Sequence, residues 1–328
     1  MPDLAHTRLR ITSRLHALAT RMLSGACLVC LLALGASGQN NGATSLVPSG
    51  KGWGVPGSGL STDTVVTGNG IAYHGGPIIP GTANIYFIWY GNWVNGPHAS
   101  DSPTTVELLQ GLFGLHVLGG SPYAKINSTY GDQAANVTGN FHLKLVTADA
   151  YSQGAKLTDT TLLSVVKNAI TSKALPLDPN GVYEVLSSSD VAETSGFCRD
   201  YCGFHGHTKI ENTDIKYAFI GNSDRCPGAC EAQTVTPNGD SGADSMANIM
   251  AHETEESITD PDVNAWFNQV GTENADMCAW KFGPLVGTLG QGAYNQTLGG
   301  RHWLIQMDWE NARGGGCAQK LNGPFYTK

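Results

Sequence analysis

Positive charge is what this sequence has least of. Lys and Arg number 19 against 27 Asp and Glu in 328 residues, and charged residues of every kind make up only 14%. Nucleic acid and anionic membrane surfaces both require basic patches on a partner, so this balance argues against either. Long apolar runs are also missing beyond the N-terminal region, and no later stretch resembles a membrane span. There is no G-x-S-x-G, no phosphate-binding P-loop and no G-x-G-x-x-G placed after a strand. The sequence signs of a serine hydrolase of that type, a P-loop NTPase and a dinucleotide enzyme are therefore absent.

What is present is ordinary globular material, 41% hydrophobic and 8% aromatic, with 42 glycines that favour turns and close backbone approaches over a helical bundle. Residues 1–38 read as a signal peptide. Arg8, Arg10, Arg14 and Arg21 precede the apolar run MLSGACLVCLLALGASG (22–38), which is short for a membrane span and ends in small residues. A membrane anchor or a mitochondrial leader is the competing reading; secretion, with no stable membrane anchor, is preferred. Removing the leader takes four of 19 basic and one of 27 acidic residues, leaving 15 against 26. Residues 39–70 are Gly/Ser/Thr-rich without a period and read as a flexible lead-in, followed by a single domain over 71–328.

Six cysteines lie beyond the leader: Cys198, Cys202, Cys226, Cys230, Cys278 and Cys317. An even count in a secreted chain implies disulfides. The spacing C-x3-C occurs twice, in CRDYC and CPGAC, and suits zinc knuckles less well than bridges. The expected pairing is Cys198–Cys202 and Cys226–Cys230 as local bridges, with Cys278–Cys317 as a long one. Sequons at Asn127, Asn136 and Asn295 suggest glycosylated surface loops.

Apolar or alternating runs predict strands at 84–91, 140–146, 181–188 and 215–222, and helical spacing predicts helices over 101–118, 158–172 and 244–259. Strands alternating with helices point to one α/β domain in two or three layers, with a mixed sheet, flanking helices and disulfide-braced loops; a zincin-like arrangement is compatible with it. The segment GFHGH between the cysteines reads as a braced loop.

The stretch AHETEESITDP (251–261) carries the chemistry. Met246, Ile249 and Met250 form an apolar stripe, and continuing it by three and four residues lands on Glu253 and Glu256. Buried carboxylates need a cation, a proton or a hydrogen-bond partner. The pattern H-E-x-x-E differs from the zincin H-E-x-x-H only in its last residue. His252 and Glu256 would be zinc ligands and Glu253 the general base, with a third ligand among Asp260, Glu273, Asp276 and His205 or His207. Calcium is the alternative, on the oxygen-rich set Glu253, Glu256, Asp260 and Asp276. Asp260 before Pro261 equally fits a turn-fixing role.

YHGGPIIPGTANIYFIWYGNW (73–93), GFCRDYCGFHGH (196–207), YAFIGNSDRCPGACEAQ (217–233), PNGDSGADSMANIMAHETEESITDP (237–261) and CAWKFG (278–283) occur in this order. Together they resemble the secreted phosphate-induced/EXORDIUM family over roughly 70–320. The resemblance implies an extracellular or cell-wall protein, linked in land plants to growth and cell expansion. It further implies a microbial-type member, since the plant members carry small or apolar residues where His252, Glu253 and Glu256 stand here. Two functions follow as expectations: a secreted protein with a metallopeptidase-like site, or a non-catalytic protein that binds an extracellular partner or cell-wall component.

Overall fold

The computed structural model describes residues 49–51 and 68–327. The leader (1–38) and the lead-in apart from 49–51 and 68–70 lie outside the described residues. Five strands form one mixed sheet: β1 (Gly81–Tyr90), β2 (Val137–Asp149), β3 (Gly181–Ser187), β4 (Gly203–Ile210) and β5 (Thr213–Gly221). Their spatial order is β2-β1-β3-β5-β4, all parallel except β4, which closes one edge antiparallel to β5. The continuous apolar runs IYFIWY and VYEVL follow from this, because interior parallel strands are covered on both faces; every residue of β3 is buried.

Three helices flank the sheet: α1 (Pro103–Leu112), α2 (Asp159–Thr171) and α3 (Ser241–Thr259). Each starts at a side-chain cap. Ser102 Oγ accepts the Thr105 N–H, Thr158 and Thr161 form a reciprocal capping box, and Asp240 accepts the Ala243 N–H at 2.9 Å. The helix expected over 101–118 stops at Leu112. Gly111 and Gly114 weaken helical propensity there, and the Leu118 N–H turns back to the Leu112 carbonyl at 3.1 Å. Under α1 the buried ring of Phe113 packs against Phe87 on one side and Phe141 on the other, each contributing roughly 1.5–3 kcal/mol of burial. Among the described residues no helix is long and apolar enough to cross a membrane.

Two expectations are corrected. The GFHGH segment is not a loop but the first part of edge strand β4, with His205 opposite Ala218 and His207 opposite Lys216. The cysteine pairs do not bridge locally. Cys198 joins Cys226 and Cys202 joins Cys230, at Cα separations of 5.8 and 5.6 Å. Pro227–Cys230 is a short helix capped by Cys226, so Cys226 and Cys230 project from one side and meet the similarly spaced Cys198 and Cys202 as two parallel rungs. The third bridge, Cys278–Cys317, forms as expected.

Beyond α3 the chain is loop-rich, with a 3-10 turn (Asp276–Cys278) and two short hairpins, Gln296–Leu298 with Arg301–Trp303 and Asp308–Glu310 with Gly316–Ala318. The sequons fare unequally. Asn136 is exposed, but Asn127 is fully buried and donates to the Glu255 carbonyl at 2.9 Å. Asn295 donates to the Phe282 and Ile305 carbonyls at 2.8 and 2.6 Å. The amides that a glycan would need at 127 and 295 are spent inside the fold.

Candidate metal centre

Helix α3 is buried from Gly242 to Thr259, so its acidic half has no bulk water to face. Its register turns Ile249 and then Glu253 toward β4, where Gly203 permits the approach. A Cβ at position 203 would lie 2.6 Å from Ile249 Cγ2 and 3.0 Å from Glu253 Oε1. Two residues along the strand, His205 points at the same helix face.

Two imidazoles and four carboxylates converge there. His205 Nδ1 lies 3.5 Å from Glu253 Oε2 and 3.5 Å from Glu256 Oε2, while its Nε2 lies 3.4 Å from Glu273 Oε1. His252 Nε2 lies 3.1 Å from Glu256 Oε1 and 3.4 Å from Asp276 Oδ1. Glu256 therefore offers one oxygen to each imidazole, and its Oε1 also accepts the Asp276 N–H at 3.0 Å. Gln306, from the loop-rich region, contacts His252 Nδ1 through its side chain and donates its backbone N–H to Asn248 Oδ1 at 2.7 Å. His205, Glu256 and Glu273 form one buried group able to hold a cation, and His252, Glu253 and Glu256 another.

These spacings are informative. Charge-assisted N–H···O bonds run at about 2.7–2.9 Å, shorter than most of the imidazole–carboxylate separations here. Ligands about 2.0–2.1 Å from a tetrahedral zinc sit about 3.3–3.4 Å from each other. His205 Nδ1, Glu253 Oε2 and Glu273 Oε1 are also buried without a hydrogen-bond partner, which is costly unless a cation completes them.

The electrostatics are strongly perturbed. Burial alone would depress both imidazoles, but the surrounding carboxylates, Glu273 foremost for His205 and Glu256 for His252, hold them well above the ordinary range. Burial raises Glu256, but His252 and His205 overcome it and bring the group down to about 2. Glu253 goes the other way, pushed up to about 7 by burial that His205 and His252 only partly offset. Glu273 is held well above the usual carboxylate range by burial.

The remaining candidates are placed differently. Asp260 Oδ1 accepts the Asn264 and Ala265 N–H groups at 2.6 Å each, fixing the turn after Pro261; its carbonyl, not its carboxylate, faces His205 Nε2 at 3.3 Å. His207 is exposed, 3.1 Å from Asp214 in a group that has its own cation, Lys216 Nζ at 2.8 Å from Asp214. Sequence reasoning missed Gln306 and the buried pair Glu184–Thr254, whose hydroxyl donates to Glu184 Oε1 at 2.8 Å. Gln306 stands 54 residues from His252, with no local pattern to mark it.

A family model described as the phosphate-induced protein 1 conserved region matches residues 71–315. Protein EXORDIUM-like 3 of Arabidopsis thaliana is 33% identical over 74% of this chain and 80% of its own length. Protein EXORDIUM-like 5 of Arabidopsis thaliana is 30% identical over 73% and 75%. Protein PHOSPHATE-INDUCED 1 of Nicotiana tabacum is 27% identical over 68% and 74%. No solved structure matches the chain.

Proposed function

The chain belongs to the phosphate-induced protein 1 family, and from that premise we propose that it is a secreted member carrying a zinc-dependent, peptidase-like hydrolytic centre. The observation that supports this is the buried His252–Glu256–Asp276 set, in which His252 Nε2 lies 3.1 Å from Glu256 Oε1 and 3.4 Å from Asp276 Oδ1, with the unpartnered Glu253 Oε2 on the same helix. His252, Glu256 and Asp276 are the ligands in this reading. His205 orients Glu256 and Glu253 from the strand side, with Glu273 behind it. Zinc, when bound there, polarises a substrate carbonyl and lowers the pKa of water. Glu253, beside the ligands, takes the proton from attacking water and returns it to the leaving group. The imidazoles favour zinc over calcium, which prefers six to eight oxygen ligands. Three disulfides support an oxidising, extracellular setting.

One observation favours the non-catalytic reading. His252 and Glu253 are only 5% and 4% exposed, as suits a structural metal in a protein that binds an extracellular partner or cell-wall component. Elemental analysis of the purified protein, its His252→Ala and Glu253→Gln variants, together with casein hydrolysis, separates the two. Near-stoichiometric zinc, lost in His252→Ala and kept in Glu253→Gln, with hydrolysis lost in both, is the expected result. Zinc without hydrolysis in the unaltered protein leaves the structural reading. Absence of zinc from all three overturns the metal centre.

A further inference from the structure

Ser49, Gly50 and Lys51 lie across the open edge of β4. The His205 N–H, pointing away from β5, donates to the Gly50 carbonyl at 2.9 Å. Gly50 is buried with φ at +67°, and a Cβ there would fall 2.0 Å from the His205 carbonyl oxygen, so only glycine permits this approach. The next side chain crosses to the other face of the strand. Lys51 Nζ donates to both oxygens of Asp159, at 2.7 and 2.8 Å, and to Ser195 Oγ at 2.7 Å. It also stands 4.6 Å from the centroid of the Phe204 ring and 5.4 Å from that of Tyr201. Both rings are almost completely buried.

This recess matches an ammonium group in detail. An ammonium has three protons, and three acceptor atoms receive them. The two ring faces add cation–π attraction. The elements that supply it, the start of α2, the loop at Ser195 and strand β4, come from separate parts of the chain. An edge strand whose outward N–H takes a main-chain carbonyl beside a side-chain recess is the arrangement by which sheets take up extended peptides, main chain on the edge and side chain in the recess.

We propose that the β4 edge and the Phe204/Tyr201/Asp159/Ser195 recess form a lysine-selective site for extended polypeptides, occupied in cis by Ser49–Lys51. The occupant competing with that segment is a peptide carrying Gly-Lys. The site goes beyond the metal reading and does not depend on it.

The test uses the full chain with Lys51→Ala, which vacates the recess, and the fluorescein-labelled peptide SLVPSGKGWG (residues 45–54), with binding read by anisotropy in EDTA. The probe is expected to bind this variant about tenfold more tightly than it binds the unaltered protein. The same probe with Ala for Lys is expected to lose about tenfold. Adding Asp159→Asn, or Ser195→Ala as an independent variant, should remove most of that preference. The proposal is overturned if Lys51→Ala, folded by its melting temperature, binds the two probes equally or neither. Because EDTA is present throughout, failure here leaves the zinc measurement untouched, and absence of zinc leaves this result standing.

Discussion

Glu231 shows how single side chains carry the acidity of this fold. Both its carboxylate oxygens are buried without a hydrogen-bond partner. Burial first, and Asp224 beside it, push its pKa from 4.5 up to about 8. A raised carboxylate pKa means the folded state holds the proton more tightly than the unfolded one. That stabilisation is full below about pH 4.5, declines as pH rises and is gone above about 8. Urea unfolding between pH 5 and 9 should therefore show a falling stability that Glu231→Gln flattens; an unchanged slope in the variant contradicts the assignment. Thr254 makes a second case. Removing its hydroxyl as Thr254→Val strips the donor from Glu184 Oε1 and should cost about 1–3 kcal/mol in chemical denaturation. How far such residues were legible depended on their spacing. Glu253 and Glu256 stood out because a helix repeats every three to four residues and they interrupted an apolar stripe. Asp276 and Glu273 were reachable only as candidates, since their loop carries no period, and Gln306 had no signal.

Elements were legible wherever burial imposed a period. The parallel strands and the three helices stand close to where apolar runs and helical spacing placed them. Strand β4 was not legible because its second half, Gly206 to Lys209, is polar or glycine and unburied on both faces, so no apolar alternation marks it; pairing with β5 supplies what propensity does not. The cysteine ladder was misread for a related reason. Equal spacing in two segments is compatible with local pairing and with cross-pairing, and only the tertiary approach of the two segments selects one. Opening either rung alone releases only the small ring that the two close together, about 2–3 kcal/mol. Opening both also frees segments 28 residues apart, for about 6 kcal/mol in all. Urea titrations of the two paired Cys→Ser variants should give equal losses, and the fourfold variant a loss more than twice either.

At the scale of the whole molecule, the candidate metal centre joins the sheet, α3 and the loop-rich C-terminal region, so occupancy should report on global stability. With free zinc at about 100 times the dissociation constant, binding stabilises by about 2.7 kcal/mol, which for a chain this size corresponds to about 4–5 °C in Tm. Calorimetry with and without EDTA checks this, and His252→Ala should melt at one temperature in both. The disulfides bear on the same point. The ladder tethers the segment entering β4, which carries His205, to the chain leading into α3, and Cys278–Cys317 anchors the turn holding Asp276. The cluster is thus registered by bonds that form only under oxidising conditions. In a reducing environment the chain lacks those tethers, so His205, α3 and the Asp276 turn are held in register only where the three bridges can form.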